Sequence, residues 1–83
     1  VRFRVLRNLG GMRMALSDLD GAIRDLDAAA ELDTPEYRPS ASERAIARRI
    51  AALALIQAGR LDEAGTRLVD AEEVLRGDQD SPE

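Results

Sequence analysis

The chain has 83 residues, which is room for one compact domain and not for a second core. Hydrophobic residues make up 45% of it, charged residues 34% and aromatics 2%, a balance that fits a folded protein with an aliphatic core and excludes a disordered chain. Sixteen carboxylates against twelve basic residues, all arginine, give a net charge of -4 that argues against a nucleic-acid partner, and the absence of cysteine and histidine removes disulfides, thiolates and the commonest general base and metal ligand. No catalytic residue, metal site or cofactor is therefore expected. No apolar run reaches the length of a membrane span, so a cytoplasmic protein with no membrane partner is the expectation.

The first predicted helix carries Phe3, Leu6, Leu9, Met12 and Leu16 at helical spacing, with Arg2, Arg4, Arg7 and Arg13 between them. Gly10 and Gly11 lie inside this pattern. Each costs a helix about 1 kcal/mol relative to alanine, which implies that another helix crosses closely there. Ser17, followed by Asp18 and Asp20, reads as the cap of a second helix whose apolar face is Leu19, Ala22, Ile23, Leu26, Ala29 and Ala30. Arg24, Asp25, Asp27 and Glu31 fall outside that face, and the helix is expected to end near Leu32 or Asp33, ahead of Pro35.

A connector over 34–40 contains Pro35 and Pro39, with Tyr37 expected as a lid over the hairpin junction. Ser40 and Glu43 have the spacing of a reciprocal cap, and a third helix should run from Ala41 to Ala58 and stop at Gly59. Ala47, Ala51, Ala54 and Ala58 form a narrow line on it beside Ile46, Ile50, Leu53 and Gln57, so a neighbouring helix can approach closely. A fourth helix opens on Leu61, Asp62 and Glu63, buries Leu61, Ala64, Leu68, Ala71, Val74 and Leu75, and ends at Gly77; residues 78–83 read as a disordered acidic tail. The fold class is all-α, two antiparallel helical hairpins over 3–33 and 41–76 in one domain over 1–77, with a plain four-helix bundle as the competing arrangement.

Leu19, Asp20 and Ala22 recur as Leu61, Asp62 and Ala64, and Leu26 and Ala29 recur as Leu68 and Ala71, all at an offset of 42 residues. This pattern resembles the tetratricopeptide repeat. Leu6, Leu9, Gly10, Ala22, Leu26 and Pro35 match that family's positions in the first half, and Gly59, Ala64, Leu68 and Ala71 do so in the second. Arg48, Ala51 and Ala52 depart from it, and the offset exceeds the family period of about 34 residues. The resemblance implies a right-handed stack of hairpins that holds a peptide or helix of a partner protein. It assigns partner contacts to Arg4, Arg7 and Met14 of the first helix and to Ile46, Arg49, Leu53 and Gln57 of the third.

Arginines on a rigid helix suit an acidic partner segment through paired hydrogen bonds to its carboxylates; the bland alternative is a solvated face paired with local acids. Ile46, Leu53 and Ile56 exceed what two hairpins can cover, which points either to a partner or to packing against the first helix. Two repeats fall short of the number usual for stability, so self-association as a homodimer, or membership of a longer array that begins before Val1, are further expectations. Asp18, Asp20, Asp25 and Asp27 lack the spacing of a calcium loop, and Ser40 and Ser42 have no activating base, so both sets read as helix caps and surface charge.

Overall fold

The computed structural model of the chain describes residues 3–32, 34 and 38–79. It contains α1 (Phe3–Ala15), α2 (Leu19–Ala30), α3 (Ala41–Gln57) and α4 (Leu61–Gln79), with no strand among the described residues. α1 packs on α2, α2 on α3 and α3 on α4, while α1 only brushes α3 and never approaches α4. Two hairpins therefore stand in a row, and the helices do not close into a bundle. Its principal extents are 43 × 28 × 14 Å.

Both hairpin turns are built in the same way. At the first, Ser17 N–H donates to the Met14 carbonyl (3.0 Å) and Asp18 N–H to the Arg13 carbonyl (2.7 Å); at the second, Gly59 N–H donates to Ile56 (3.0 Å) and Arg60 N–H to Leu55 (2.8 Å). These bonds satisfy the orphan carbonyls at each helix end and require a left-handed residue, Gly59 at φ 78° and Ser17 at φ 66°. The 42-residue sequence offset is thus an offset between two equivalent turns. Ser17 is not the cap of α2: its backbone is committed to closing α1, and the Asp18 side chain accepts the Gly21 N–H instead (3.1 Å). Ser40 and Glu43 do form the expected reciprocal cap on α3, at 3.1 and 2.9 Å.

Helix ends differ modestly from the sequence expectation. α1 stops at Ala15, α2 at Ala30 and α3 at Gln57, and α4 runs through Gly77 to Gln79, so residues 78 and 79 are helical and not tail. A glycine in the last turn of an exposed helix weakens it without ending it. The expectations for Tyr37, Pro35 and the tail from residue 80 onward lie outside the described residues.

Among the described residues ten of the fourteen buried apolar side chains are alanine, and Leu26 and Leu55 are the largest fully removed from solvent. The face expected of α2 is buried as predicted, apart from the partly buried Leu19. Of the apolar stripe on α1, Phe3 is buried while Leu9, Met12 and Leu16 are exposed. On α4, Ala64 and Ala71 are buried and Leu61 and Leu68 are exposed. The reason is positional: in a row, each terminal helix has a neighbour on one side only.

The close crossing expected at the glycine pair falls on Gly10 alone. A Cβ there would lie 2.6 Å from Leu26 Cγ, whereas one at Gly11 meets nothing within 4 Å. Gly10→Ala should therefore destabilise the protein, because about 1–3 kcal/mol of overpacking exceeds the gain in helix propensity, and Gly11→Ala should stabilise it by up to about 1 kcal/mol. Urea-unfolding midpoints that move in opposite directions confirm the crossing; a shared direction refutes it. Ser17→Gly should stabilise the protein by about 1 kcal/mol through relief of the left-handed serine, read as a higher melting temperature.

Candidate functional site

α3 has three working faces. Ala47 packs with Ala29 and Ala30 of α2, and Ala51 and Ala54 continue that line into the cluster of Ala22, Ile23 and Leu26. Ala52 and Leu55 enter the same cluster beside Ala64 of α4. What is left is an outward ridge of Ile46, Arg49, Leu53, Ile56 and Gln57, on which the aliphatic residues are 38% (Ile46), 54% (Leu53) and 46% (Ile56) exposed. Their spacing of three, seven and ten residues from Ile46 keeps them on one face of the helix.

Arg4, Arg7 and Met14 precede Ile46, Arg49 and Ile56 by 42 residues, so they occupy the same face of the equivalent helix α1. Arg4 is exposed, Arg7 is half-buried, and Met14 packs against the core cluster, which leaves it less available than a surface contact would be. Arg4, Arg7 and Arg49 make no ion pair among the described residues. Packing of α3's ridge against α1 is not seen, because α1 barely touches α3.

Ion pairs link the two hairpins through carboxylates that the sequence pattern leaves outside. Asp27 of α2 accepts two hydrogen bonds from Arg67 of α4, at 3.0 and 2.7 Å, and one from Arg48 of α3 at 3.0 Å. All three side chains are about four-fifths buried, so these contacts work in a weaker dielectric than surface pairs do. Asp20 and Arg60 form a second, exposed rung at 3.3 Å. Asp20 and Asp27 are seven residues apart, as are Arg60 and Arg67; that shared spacing is the signal in the sequence for two parallel helices in register. Within the first hairpin, Arg13 bridges Asp18 (2.8 Å) and Asp25 (2.7 Å).

A cavity of about 430 Å³ lies at the other end of α2, lined in part by Glu31, Arg44, Arg48 and Val74. Arg44 Nε is buried there without a hydrogen-bond partner. Three arginines, Arg38, Arg44 and Arg48, line the cavity against one carboxylate, Glu31, so its lining is net positive, although Arg48 is already engaged by Asp27 and Glu31. Among the described residues no group of three or more acidic side chains could hold a metal, and no helix is long and apolar enough to cross a membrane.

The Arg13 guanidinium, and then the Gly21 N–H, hold the Asp18 carboxyl below the usual carboxylate range. A carboxyl lowered in the folded state contributes stability that is complete above its unfolded value of about 4 and is lost as pH falls through the lower folded value. Asp18→Asn keeps a capping oxygen and removes the charge. The stability gap between the two proteins should be constant from about pH 5 to 7 and close below about pH 4, measured by urea unfolding across pH. A gap that stays flat to pH 2 would remove the ion pair from the account.

No protein-family model, curated protein or solved structure matches the chain. What its surface does is therefore argued from the chemistry of that surface.

Proposed function

We propose that the protein is a protein-interaction module that holds a peptide or helix of a partner on the outward ridge of α3. One observation carries this reading: Ile46, Leu53 and Ile56 expose a third to a half of their surface along a single rigid helix, with Arg49 between them making no ion pair among the described residues. Covering the exposed third to half of such residues gives a partner about 0.5–1.5 kcal/mol for each side chain, and a partner helix with apolar residues three and four apart can cover several together. Arg49, with Arg4 and Arg7 on the equivalent face of α1, favours carboxylates flanking that apolar stretch. Gln57 extends the ridge as a neutral hydrogen-bonding end, and Met14 contributes by supporting the core beneath it.

The tetratricopeptide resemblance supports the same reading, since that family presents the corresponding faces of its first helices to partners. Non-enzymatic function is part of the proposal, resting on a sequence without histidine or cysteine and on Ser40 engaged in capping.

Peptides selected against the protein from a displayed library should converge on apolar residues at helical spacing flanked by Asp or Glu. Leu53→Asp should weaken them at least tenfold by titration. Arg49→Ala should weaken them less, and only at low salt. Selected peptides that bind both variants as tightly as the wild type would place the site elsewhere.

A further inference from the structure

The cavity at the C-terminal end of α2 contains a positive charge that the chain itself does not answer. Arg44 and Arg48 are four residues apart on α3, so they stand on one face of that helix, and both line the cavity. Their surroundings differ. Arg48 is held by Asp27 at 3.0 Å and lies 3.6 Å from Glu31. Arg44 makes no ion pair among the described residues, and its Nε is buried without a hydrogen-bond partner. A guanidinium N–H taken out of water and given no acceptor is unfavourable, and an acceptor that enters the cavity relieves it.

Local charge sets how much negative charge the cavity can take. Asp27 and Glu31 are balanced by Arg48 and Arg67, the two arginines they contact. Arg44 then adds one positive charge, while Arg38 lines the cavity as an exposed side chain whose charge water screens. A guest with a single negative charge is matched, and a phosphate dianion would be repelled by Glu31. A carboxylate also suits the guanidinium in shape, because its two oxygens accept two parallel N–H bonds from the planar fork. The rest of the lining includes the half-buried Leu32 and Val74, which offer an apolar wall. At about 430 Å³ the cavity lies within the range of about 300–1,000 Å³ of small-molecule sites and holds more than a carboxylate alone.

We propose that this cavity binds a small monocarboxylic acid with a short aliphatic body, its carboxylate on the Arg44 guanidinium and its body against Leu32 and Val74. Leu32 follows α2, Arg44 belongs to α3 and Val74 to α4, so the ligand touches both hairpins. None of the α3 ridge residues takes part, and the site stands independently of the peptide-binding reading.

Titration of the full chain with hexanoate at pH 7 and constant ionic strength tests the site, followed by ¹⁵N correlation spectra. The Arg44 Nε–Hε signal and the backbone amides of Leu32 and Val74 should shift together and saturate with a Kd of about 1 mM, an affinity per atom within the range of small ligands. Arg44→Gln should weaken binding at least tenfold, read at the Leu32 and Val74 amides, with circular dichroism confirming its fold. Arg24→Gln removes the same charge from an exposed position of α2 and should leave the affinity unchanged. Acetate, which has the head without the body, should bind at least fivefold more weakly than hexanoate, and inorganic phosphate no more tightly than acetate. Signals that do not saturate by about 50 mM hexanoate overturn the proposal, as does an Arg44 signal that stays still while others move, a reading that holds even if Arg44→Gln unfolds. Equal weakening by Arg24→Gln reduces the effect to net charge and overturns the site. Phosphate binding more tightly than hexanoate, or acetate binding as tightly, overturns the ligand class.

Discussion

The fold depends on helices that come unusually close. Leu26 lies directly over Gly10, and α3 meets α2 through alanines, so the core between helices has almost no depth to fill. An interior of this kind gains little from each buried side chain and compensates by packing backbone near backbone, where dispersion is dense. The same constraint governs the surface. A core with room for only two fully buried leucines cannot accept the remaining large aliphatics, and they stand outside on α1, α3 and α4. Exposure of Ile46, Leu53, Leu61 and Met12 is thus the counterpart of the alanine lines and not a separate peculiarity.

Because the helices form a row, something must fix the angle between the hairpins, and close packing along α2 and α3 alone leaves a hinge. The Asp27 carboxylate answers this by gripping Arg48 and Arg67 at once, which joins three helices at one point. Its partial burial makes the grip directional, since a part-buried guanidinium that lost its carboxylate would face an uncompensated desolvation cost. Arg60 and Asp20 repeat the link two turns away in a wetter setting, where it steers register more than it adds stability.

Local signals in the chain were legible because they are physically local. The reciprocal cap of Ser40 and Glu43, the turn at Gly59 and the apolar face of α2 each depend on residues within a few positions of one another, and the structure has them as read. The 42-residue offset also survives, now as equivalence between two turns with the same hydrogen bonds. Periodicity identifies an apolar face, however, and does not say whether a neighbour covers it; Leu61 and Leu68 read as buried for that reason. Asp27 reads as surface because its partners lie 21 and 40 residues away. Of the candidate residues, Ile46, Arg49, Leu53 and Gln57 lie on an exposed face of α3, while Met14 packs against the core cluster.

Serial contact between helices has a consequence for how the chain behaves in time. The extensive helix interfaces are all between chain neighbours, with the α2–α4 ion pairs of Asp27 and Asp20 as the long-range links, so most of the packing closes only short loops of polypeptide and the entropy of bringing distant segments together enters little. Folding can begin at either hairpin and spread along the row. Opening follows the same geometry in reverse: α1 rests on α2 and little else, and its detachment exposes Leu26 while the α3–α4 hairpin keeps all of its own contacts. The molecule is in this sense a short one-dimensional lattice, in which order is lost from the ends inward.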